Sequence, residues 1–410
     1  MAIVRPFNAL RPLPEAASAV AAVPYDIVST EEARALTAGN PLSFLHVTRA
    51  EIDLPPGADP YSDEVYRRAS ENLESLKVAA PLVVEGKPAL YLYRLRAGDH
   101  EQTGLAGCFS LDEYDRDVIK RHERTRRDKE DDRTRHMLAV GAQTGIVFLT
   151  YRATDELDDL MRRACRLEPL FDVAAPDGVR HAIWRLDRSD QALAIAGFER
   201  LSALYVADGH HRIASAARVR DELATSIGNA SEDEARGFLG VAFPDSQTQI
   251  LAYNRTVATL AGLTAERLLE EIAARFPVRP RVDATPPKGQ VAMYLAGVWY
   301  GIELAAARHP YAGTRESSRL DVAVLQNQIV GPVLKVSDVR TDPRMTFVGG
   351  ARNVQMLEQA VDSGQAAVAF SLAPVTLTEL LAISDAGDIM PPKSTWFEPK
   401  LRDGLLIHLI

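Results

Sequence analysis

The sequence predicts a mixed α/β protein, and three observations support that class. Residues 137–205 alternate between helical stretches and short apolar strands such as TGIVFLTY and HAIWRL, a layout typical of α/β folds. The apolar run LSALYVA, residues 201–207, is followed after one polar turn by IASAARVRDELA, whose spacing and residue types favour a helix. Past about residue 245 the order becomes a helix, a pair of strands and further helices, which indicates an α+β region after an α/β core.

Composition limits the class of protein further. The chain has 410 residues, of which 46% are hydrophobic and 25% charged, and its formal net charge is −9. Such a chain is expected to be globular with two or three domains, and its acidity argues against general nucleic-acid binding. Its two cysteines, Cys108 and Cys165, are far apart, and no stretch resembles a membrane span or a signal peptide. We expect a soluble cytoplasmic protein with a small-molecule substrate and no nucleic-acid or membrane partner, while the oligomeric state stays open.

The first hundred residues are predicted to mix helices and strands. Ser29 precedes a helical run and Glu32 follows three residues later, which predicts a capping box. The stretch EVYRRASENLESLK at 64–77 predicts an exposed amphipathic helix. Residues 88–114 read as two strands joined by a loop that contains Gly98, which predicts a β-hairpin.

A densely charged run, DRDVIKRHERTRRDKEDDRTRH, covers residues 115–136 with nine basic and seven acidic residues. Mixed signs at this density are typical of a solvated helix with opposite charges one turn apart. The arginines of its first half would also make a local positive patch that suits a phosphorylated ligand. His122 and Glu123, at the start of the run, are therefore either ordinary residues of a charged helix or part of a functional site.

The strongest candidate for chemistry is Asp208-Gly209-His210-His211-Arg212, which we call the DGHHR turn. It lies between a predicted strand and a predicted helix, where free N–H groups and the helix dipole favour an anion such as phosphate. Gly209 lets the backbone approach a ligand closely, and Arg212 can hold a phosphate with two hydrogen bonds. The alternative is a capping aspartate with two structural histidines.

Asp208 is also a candidate metal ligand. Its carboxylate could hold a Mg²⁺ ion that bridges the phosphates of a donor. A zinc site fits less well, because adjacent histidines point in different directions and no third ligand has the expected spacing.

A second candidate is the segment MPPKSTWFEPK, residues 390–400, and we call residues 390–395 the proline loop. Lys393, Ser394 and Thr395 would give it one ammonium, two hydroxyls and several amides, a set suited to holding an anion. The segment lacks the glycines of a P-loop, so it is not a Walker A motif. Taken alone, an ordinary surface loop is the simpler interpretation.

Together these motifs resemble a known family. VPYDIVS, NPLSFLHV, HERT…DR, YVADGHHR, YNRTV and MPPKSTWFEPKL make nearly the whole chain similar to the bacterial domain-of-unknown-function 1015 family. Within it, FSLDEY…KRHE, YVADGHHR and MPPKST resemble, in the same order, motifs of the archaeal ADP-dependent free-serine kinases, which have a ParB/sulfiredoxin fold and make O-phosphoserine.

The resemblance implies a division of the chain into three regions. Residues 106–245 would form a ParB/sulfiredoxin-like catalytic core. Residues 1–105 would form an N-terminal α+β region. Residues 246–410 would form a C-terminal α+β domain whose loop 388–400 returns to the site.

The resemblance also implies a role for each candidate residue. Glu123 would take the proton from the acceptor hydroxyl, and Asp208 would assist it or hold the metal. The phosphates of the donor would be bound by Gly209, His210, His211 and Arg212. Donor or acceptor would be covered by Lys393, Ser394 and Thr395. The implied activity is phosphoryl transfer, with Mg²⁺, from ADP, ATP or pyrophosphate to a hydroxyl, in the first place that of free L-serine.

Two other functions are compatible with the same motifs. ParB relatives bind a nucleotide to regulate DNA clamping, and such a regulator would need a basic helix-turn-helix domain that the acidic C-terminal half does not suggest. The same phosphate-binding turn could also serve a phosphohydrolase with water as the acceptor. A small-molecule phosphotransferase is the leading prediction.

Overall fold

The computed structural model describes residues 2–79, 81–226, 234–304, 315–350 and 353–410, and the chain divides into two compact units. Unit 1 consists of Met1–Arg121, Thr125–Thr248 and Pro399–Ile410, and unit 2 of His122–Arg124 and Gln249–Glu398. These units do not follow the three predicted regions, because residues 1–105 share unit 1 with nearly all of residues 106–245.

Unit 1 contains helices and strands in mixed order. Its strands are β1 (Val4–Arg5), β2 (Ala9–Pro12), β3 (Leu82–Val84), β4 (Tyr91–Ala97), β5 (His100–Ser110), β6 (Ile119–Lys120), β7 (Ala142–Gln143), β8 (Val147–Tyr151), β9 (Phe171–Ala174), β10 (Arg180–Arg185), β11 (Leu204–Asp208), β12 (Gly237–Pro244) and β21 (Ile407–Leu409). Its α-helices are α1 (Pro14–Val20), α2 (Thr30–Thr37), α3 (Leu45–Thr48), α4 (Asp63–Ala79), α5 (Leu111–Asp115), α6 (Arg127–Val140), α7 (Asp155–Ala164), α8 (Arg188–Glu199) and α9 (His210–Ser226).

A nine-stranded mixed sheet is the centre of unit 1, with the order β6-β11-β8-β12-β5-β4-β10-β9 and β1 paired to β5. The pairs β11–β6 and β12–β8 are parallel, and the other pairs are antiparallel. Buried strands such as FLGVAF and VFLTY lack polar alternation because both faces of a central strand are covered. A four-stranded sheet, β3-β2-β21-β7, is the second sheet of this unit.

Unit 2 contains an antiparallel sheet of six strands in the order β15-β17-β16-β19-β14-β18. Its strands are β13 (Ile250–Leu251), β14 (Tyr253–Val257), β15 (Val278–Pro280), β16 (Gln290–Leu295), β17 (Val298–Glu303), β18 (Met345–Gly349), β19 (Val368–Leu372) and β20 (Trp396–Phe397). Its α-helices are α10 (Ala265–Ala273), α11 (Asp321–Leu325), α12 (Asn353–Asp362) and α13 (Leu377–Asp385). Strand β13 pairs with β20, which is the strand that directly follows the proline loop in the chain.

Most of the local predictions are confirmed. The fold is mixed α/β. Ser29 and Glu32 form the predicted capping box, and strands β4 and β5 form the predicted hairpin. None of the helices in the described part of the chain is both long and apolar enough to cross a membrane.

The charged run departs from the predicted solvated helix. Helix α6 begins at Arg127, and the residues before it form the end of α5, the short strand β6 and an irregular segment. One face of α6 is buried, including Asp132 and His136. The reason is packing, since α6 lies against α4 and α9, and Asp132 is paired with Arg133 at 2.8 Å. A helix with opposite charges one turn apart can therefore still bury one of its faces.

Candidate functional site

The DGHHR turn has the strand–turn–helix form that the sequence predicts. Asp208 ends β11, and α9 begins at His210. Gly209 between them has φ +94°, a left-handed conformation that side chains other than glycine rarely adopt. Its N–H donates to Asp208 Oδ1 at 2.9 Å. The turn therefore begins a 17-residue helix, whose first N–H groups have no partner within the helix itself.

Asp208 forms an ion pair that the sequence analysis missed. Lys400 Nζ lies 2.6 Å from Asp208 Oδ2, and the Lys400 side chain is 13% exposed. Burial alone would raise the pKa of Asp208, but the charges of Lys400 and Arg212 hold it well below its usual range. The carboxylate is therefore ionised and fixes an ammonium group beside the turn.

Arg212 is buried and fixed by unit 1. Its Nη2 donates to both carboxylate oxygens of Asp26, at 2.8 and 2.9 Å, and its Nη1 donates to the Ile146 carbonyl at 2.7 Å. Its side chain is 5% exposed, and its guanidinium lies 5.3 Å from the Tyr25 ring centroid. Through these contacts Arg212 stabilises the turn. Direct binding of a phosphate by this residue stays a prediction.

The two histidines of the turn differ in their surroundings. His210 is buried. His211 Nε2 accepts a hydrogen bond from the backbone N–H of Arg126 at 3.0 Å, so this nitrogen carries no proton. His211 thereby ties the turn to the residue that immediately precedes helix α6.

A second buried acid, Asp403, belongs to the same part of unit 1. Its backbone pairs with that of Ala22, and its side chain is almost completely inaccessible, with Oδ2 lacking a hydrogen-bond partner in the described structure. Burial and the nearby Asp26 raise the pKa of Asp403 to about 7, against the opposing effect of Arg212. Arg212 therefore has an ion-pair partner, Asp26, and a second neighbouring acid, Asp403, that titrates near neutrality.

We expect Asp403→Asn to change how the stability of the protein depends on pH. The folded chain holds a proton on Asp403 up to about pH 7, whereas the ordinary pKa is 3.8. A raised pKa gives a stabilisation that is complete below about pH 4 and lost as the pH rises through 7, with an upper bound of roughly 4 kcal/mol. Urea unfolding of the wild type and Asp403→Asn at pH 4.5, 6 and 8 should show a difference that grows with pH in favour of the variant. A difference that is constant with pH would contradict the buried, neutral acid.

In unit 2, Glu123 lines a cavity of about 970 Å³. This volume is in the range that accommodates a small ligand. The lining is mostly polar and consists of Glu123, Arg124, Arg315, Glu316, Ser317, Gln326, Asn327, Ser337, Asp338, Val339, Arg340, Ala386, Gly387, Asp388, Ile389, Met390 and Pro392. We call it the unit 2 cavity, and it combines a predicted catalytic residue with the beginning of the proline loop.

Charged groups of both signs line the unit 2 cavity. Arg340 is neutralised by Asp338 at 3.0 Å. Asp388 accepts from the Ser317 hydroxyl at 2.5 Å and from the Ile389 N–H at 2.8 Å. These hydrogen bonds hold its pKa below the usual range although burial opposes them. Acidic and basic side chains thus occur in similar numbers around the cavity, which suits a polar ligand better than an apolar one.

The proline loop is held by its own unit. His122 contacts Thr395 Oγ1 through Nε2 at 3.2 Å and accepts from the Met390 N–H at 2.8 Å through its carbonyl. The Ser394 hydroxyl donates to the Pro391 carbonyl at 2.5 Å. Arg255 donates to the carbonyls of Pro392 and Lys393, both at 3.2 Å. The loop therefore has one fixed backbone shape.

The structure brings together some of the predicted residues within each unit. Asp208 to Arg212 share one turn in unit 1, whereas Glu123 and the proline loop belong to unit 2. Sequence reasoning missed Lys400 and Asp403 in unit 1 and Arg255 in unit 2. Lys400 ends the quoted motif MPPKSTWFEPK and Arg255 lies in YNRTV, so both were visible as motif residues without a role.

The fold and the site define an α/β protein with a strand–glycine–helix turn suited to an anion. A sequence model described as "Protein of unknown function (DUF1015)" matches residues 4–324, and the chain belongs to this family. The predicted resemblance to that family is confirmed. No curated protein matches the chain in sequence.

Solved structures resemble the chain only distantly. SbnI from Staphylococcus aureus, with its C-terminus truncated, has a TM-score of 0.39 at 12% identity, covering 74% of this chain and 87% of its own. A free serine kinase in complex with AMP has a TM-score of 0.37 at 11% identity, covering 73% of this chain and 91% of its own. A conserved hypothetical protein from Pyrococcus furiosus has a TM-score of 0.36 at 12% identity, covering 74% of this chain and 95% of its own. We draw no functional conclusion from similarities of this size.

Proposed function

We propose that this protein is a phosphotransferase that moves a phosphoryl group from ADP, ATP or pyrophosphate to the hydroxyl of a small molecule. Free L-serine is the favoured acceptor, on the strength of the KRHE, DGHHR and MPPKST motifs. The ParB/sulfiredoxin-like character of the core is part of the same proposal.

The observation that carries the proposal is the DGHHR turn. A glycine at φ +94° leads into the first turn of a long helix, and such helix starts favour phosphate groups. Lys400, fixed by Asp208 at 2.6 Å, adds a cation beside this helix start. In this proposal Gly209, His210 and His211 contact the phosphates of the donor, and Arg212 keeps the turn in shape.

Glu123 is the proposed catalytic base. It lines the unit 2 cavity with Arg124 and Arg315, and the volume of about 970 Å³ is large enough for a small hydroxyl compound. A positioned carboxylate can take the proton of the attacking hydroxyl, and the guanidinium groups favour the charge of the transferred phosphoryl group. Lys393, Ser394 and Thr395 would hold the donor or the acceptor at the proline loop.

Asp208 as arranged is a poor fit for magnesium. Oδ1 accepts from the Gly209 N–H and Oδ2 from the Lys400 ammonium, so a Mg²⁺ ion on this carboxylate would stand next to a lysine cation. Electrostatic repulsion between the two cations disfavours that arrangement. No step is therefore placed on a metal at Asp208, and the Lys400 ammonium, whose charge is paired with Asp208, offers hydrogen-bond donors beside the turn.

A donor-by-acceptor screen tests the proposed function. The intact protein is incubated with ADP, ATP or pyrophosphate and with serine, threonine or glycerol, with and without Mg²⁺, and the products are identified by ³¹P NMR. We expect a phosphomonoester, with O-phosphoserine as the strongest signal. Donor consumption without any phosphomonoester would instead favour a phosphohydrolase, and no consumption of any donor would reject both.

A further inference from the structure

Arg255 in strand β14 is a buried cation that has no acidic partner among the residues that the structure describes. It is 1% exposed. Its guanidinium donates to the backbone carbonyls of Tyr253, Pro392 and Lys393, and it lies 5.4 Å from the Phe347 ring centroid. Its Nε has no hydrogen-bond partner in the described structure. A buried charge is costly unless it is paired, so an uncompensated guanidinium requires an explanation.

The groups around Arg255 also indicate that its positive charge is not compensated. Burial lowers the pKa of Arg255 to about 10 against the opposing effect of Tyr253, and Arg255 forms no ion pair with a carboxylate in the described part of the chain. In the described part of unit 2, no carboxylate therefore balances the guanidinium. Even with a lowered pKa the group remains charged at neutral pH.

Arg255 also determines which way the proline loop turns its peptide groups. Two consecutive carbonyls, those of Pro392 and Lys393, point at its Nη2. In a trans peptide the N–H points opposite to the C=O, so the N–H groups of Lys393 and Ser394 point away from Arg255. Successive N–H groups beside a left-handed residue form a concave site that suits an anion.

Lys393 has the left-handed backbone that such a site needs. Its φ is +56°, a left-handed conformation that residues with a side chain rarely adopt. Its ammonium lies 5.7 Å from the Tyr253 ring centroid. Pro392, one residue earlier, lines the unit 2 cavity, so the loop reaches the edge of that cavity.

We propose that the proline loop binds a phosphate group, and that Arg255 is the positioning residue that shapes the loop and supplies its fixed positive charge. This inference rests on the proposed function, in which Lys393, Ser394 and Thr395 contact the donor or the acceptor. It adds a ligand class, a phosphate oxyanion, and a residue that acts through the loop without touching the ligand.

Arg344 provides a matched control in the same unit. It also donates to two consecutive carbonyls, those of Leu334 and Lys335, at 3.2 and 2.8 Å, and Lys335 has φ +55°. The two arginines differ in charge and in burial, because Arg344 is paired with Asp342 at 2.7 Å and its side chain is 28% exposed. The two loops thus share a backbone arrangement, and only that of Arg255 has an uncompensated cation behind it.

The test measures phosphate binding at the loop itself. The chain has three tryptophans, and Trp396 follows the loop directly, with its ring 5.2 Å from that of Tyr253. Labelling with 5-fluorotryptophan gives resolved ¹⁹F signals, and Trp396→Phe identifies the one of interest. Titration of the intact protein with inorganic phosphate and with pyrophosphate then gives Kd from that signal.

We expect Arg255→Gln to raise Kd for pyrophosphate at least tenfold, whereas Arg344→Gln leaves it within a factor of two. A purely structural role for Arg255 would lower stability and leave Kd unchanged, and that result would overturn the inference. Lys393→Gly is the second variant, because glycine keeps the left-handed backbone and removes the ammonium without touching the buried arginine. It should also raise Kd at least tenfold, and an unchanged value would reject the loop as the binding place even if Arg255→Gln fails to fold.

The outcome separates this inference from the proposed function. Pyrophosphate binding at Trp396 without phosphoryl transfer to any acceptor would reject the phosphotransferase and leave the anion loop standing. Phosphoryl transfer by the wild type with no response of the Trp396 signal to either anion would reject the anion-binding loop and leave the phosphotransferase standing.

Discussion

Glu123→Gln is expected to lower kcat by two or more orders of magnitude while the affinity for the phosphate donor stays nearly unchanged. Glutamine has the same size as glutamate and can still accept a hydrogen bond, but it cannot take a proton from the acceptor hydroxyl. A positioned base contributes about 10²- to 10⁴-fold to the rate. Because Glu123 lines the unit 2 cavity with arginines, we expect the substitution to affect the chemical step and not the fold.

Steady-state kinetics with the best donor and acceptor of the screen measure this effect. Glu270→Gln is the control, because Glu270 belongs to the same unit and pairs with Arg267 on an exposed helix; its kcat should stay within twofold of the wild type. Wild-type turnover in Glu123→Gln would remove Glu123 from the mechanism. Asp208 would then inherit the role of the base, and Asp208→Asn would be expected to lose the activity instead.

Asp26→Asn is expected to cost about 1–3 kcal/mol of unfolding free energy, because it leaves the buried Arg212 guanidinium without its carboxylate partner, although the Asp26 side chain itself is 37% exposed. The Arg212 side chain is 5% exposed, and Asp26 accepts two hydrogen bonds from it. Without that carboxylate, the neighbouring acid of the buried arginine is Asp403, and burial, the largest cause of the raised pKa of Asp403, remains in the variant. The DGHHR turn, which Arg212 stabilises, should therefore be less stable in Asp26→Asn.

Asp172→Asn is the matched control for this prediction. Asp172 also accepts two hydrogen bonds from an arginine, Arg180, at 2.7 and 2.9 Å, but that arginine side chain is 61% exposed. Removal of this surface pair should cost much less unfolding free energy than removal of the Asp26 carboxylate, because solvent screens exposed ion pairs. Urea unfolding gives both values, and the double variant Asp26→Asn with Arg212→Gln should lose less than the sum of its single changes. Equal losses for Asp26→Asn and Asp172→Asn would contradict the role of Arg212 as a buried residue that stabilises the turn.

Local patterns predicted the fold well where one stretch of sequence determines its own conformation. The capping box at Ser29 depends on residues three apart, and the β4–β5 hairpin on strands joined by a short loop. The DGHHR turn is likewise local, because an apolar strand, a glycine and a strong helix former follow one another. The order of the nine strands in the central sheet was not predictable in this way, since it pairs strands far apart in the chain.

The partners of the site residues escaped prediction for the same reason. Lys400 meets Asp208 across 192 positions, and Asp26 meets Arg212 across 186. A charge pattern cannot reveal such a pair, because it depends on the path of the whole chain. Arg255 could have been noticed in another way, because it lies within the strand sequence YNRTV. A charge that is buried in a strand is costly unless it is paired. Composition alone could not show that this arginine has no acidic partner.

The most direct test of the account follows the oxygen of the acceptor. The reaction is run in H₂¹⁸O with the best donor and a hydroxyl acceptor, and the products are read from the ¹⁸O isotope shift in ³¹P NMR. A phosphotransferase forms the new P–O bond with the oxygen of the acceptor, so we predict a phosphomonoester without ¹⁸O and little labelled inorganic phosphate. Inorganic phosphate that carries ¹⁸O in proportion to the donor consumed, with no phosphomonoester, would show that water is the acceptor and would contradict the account.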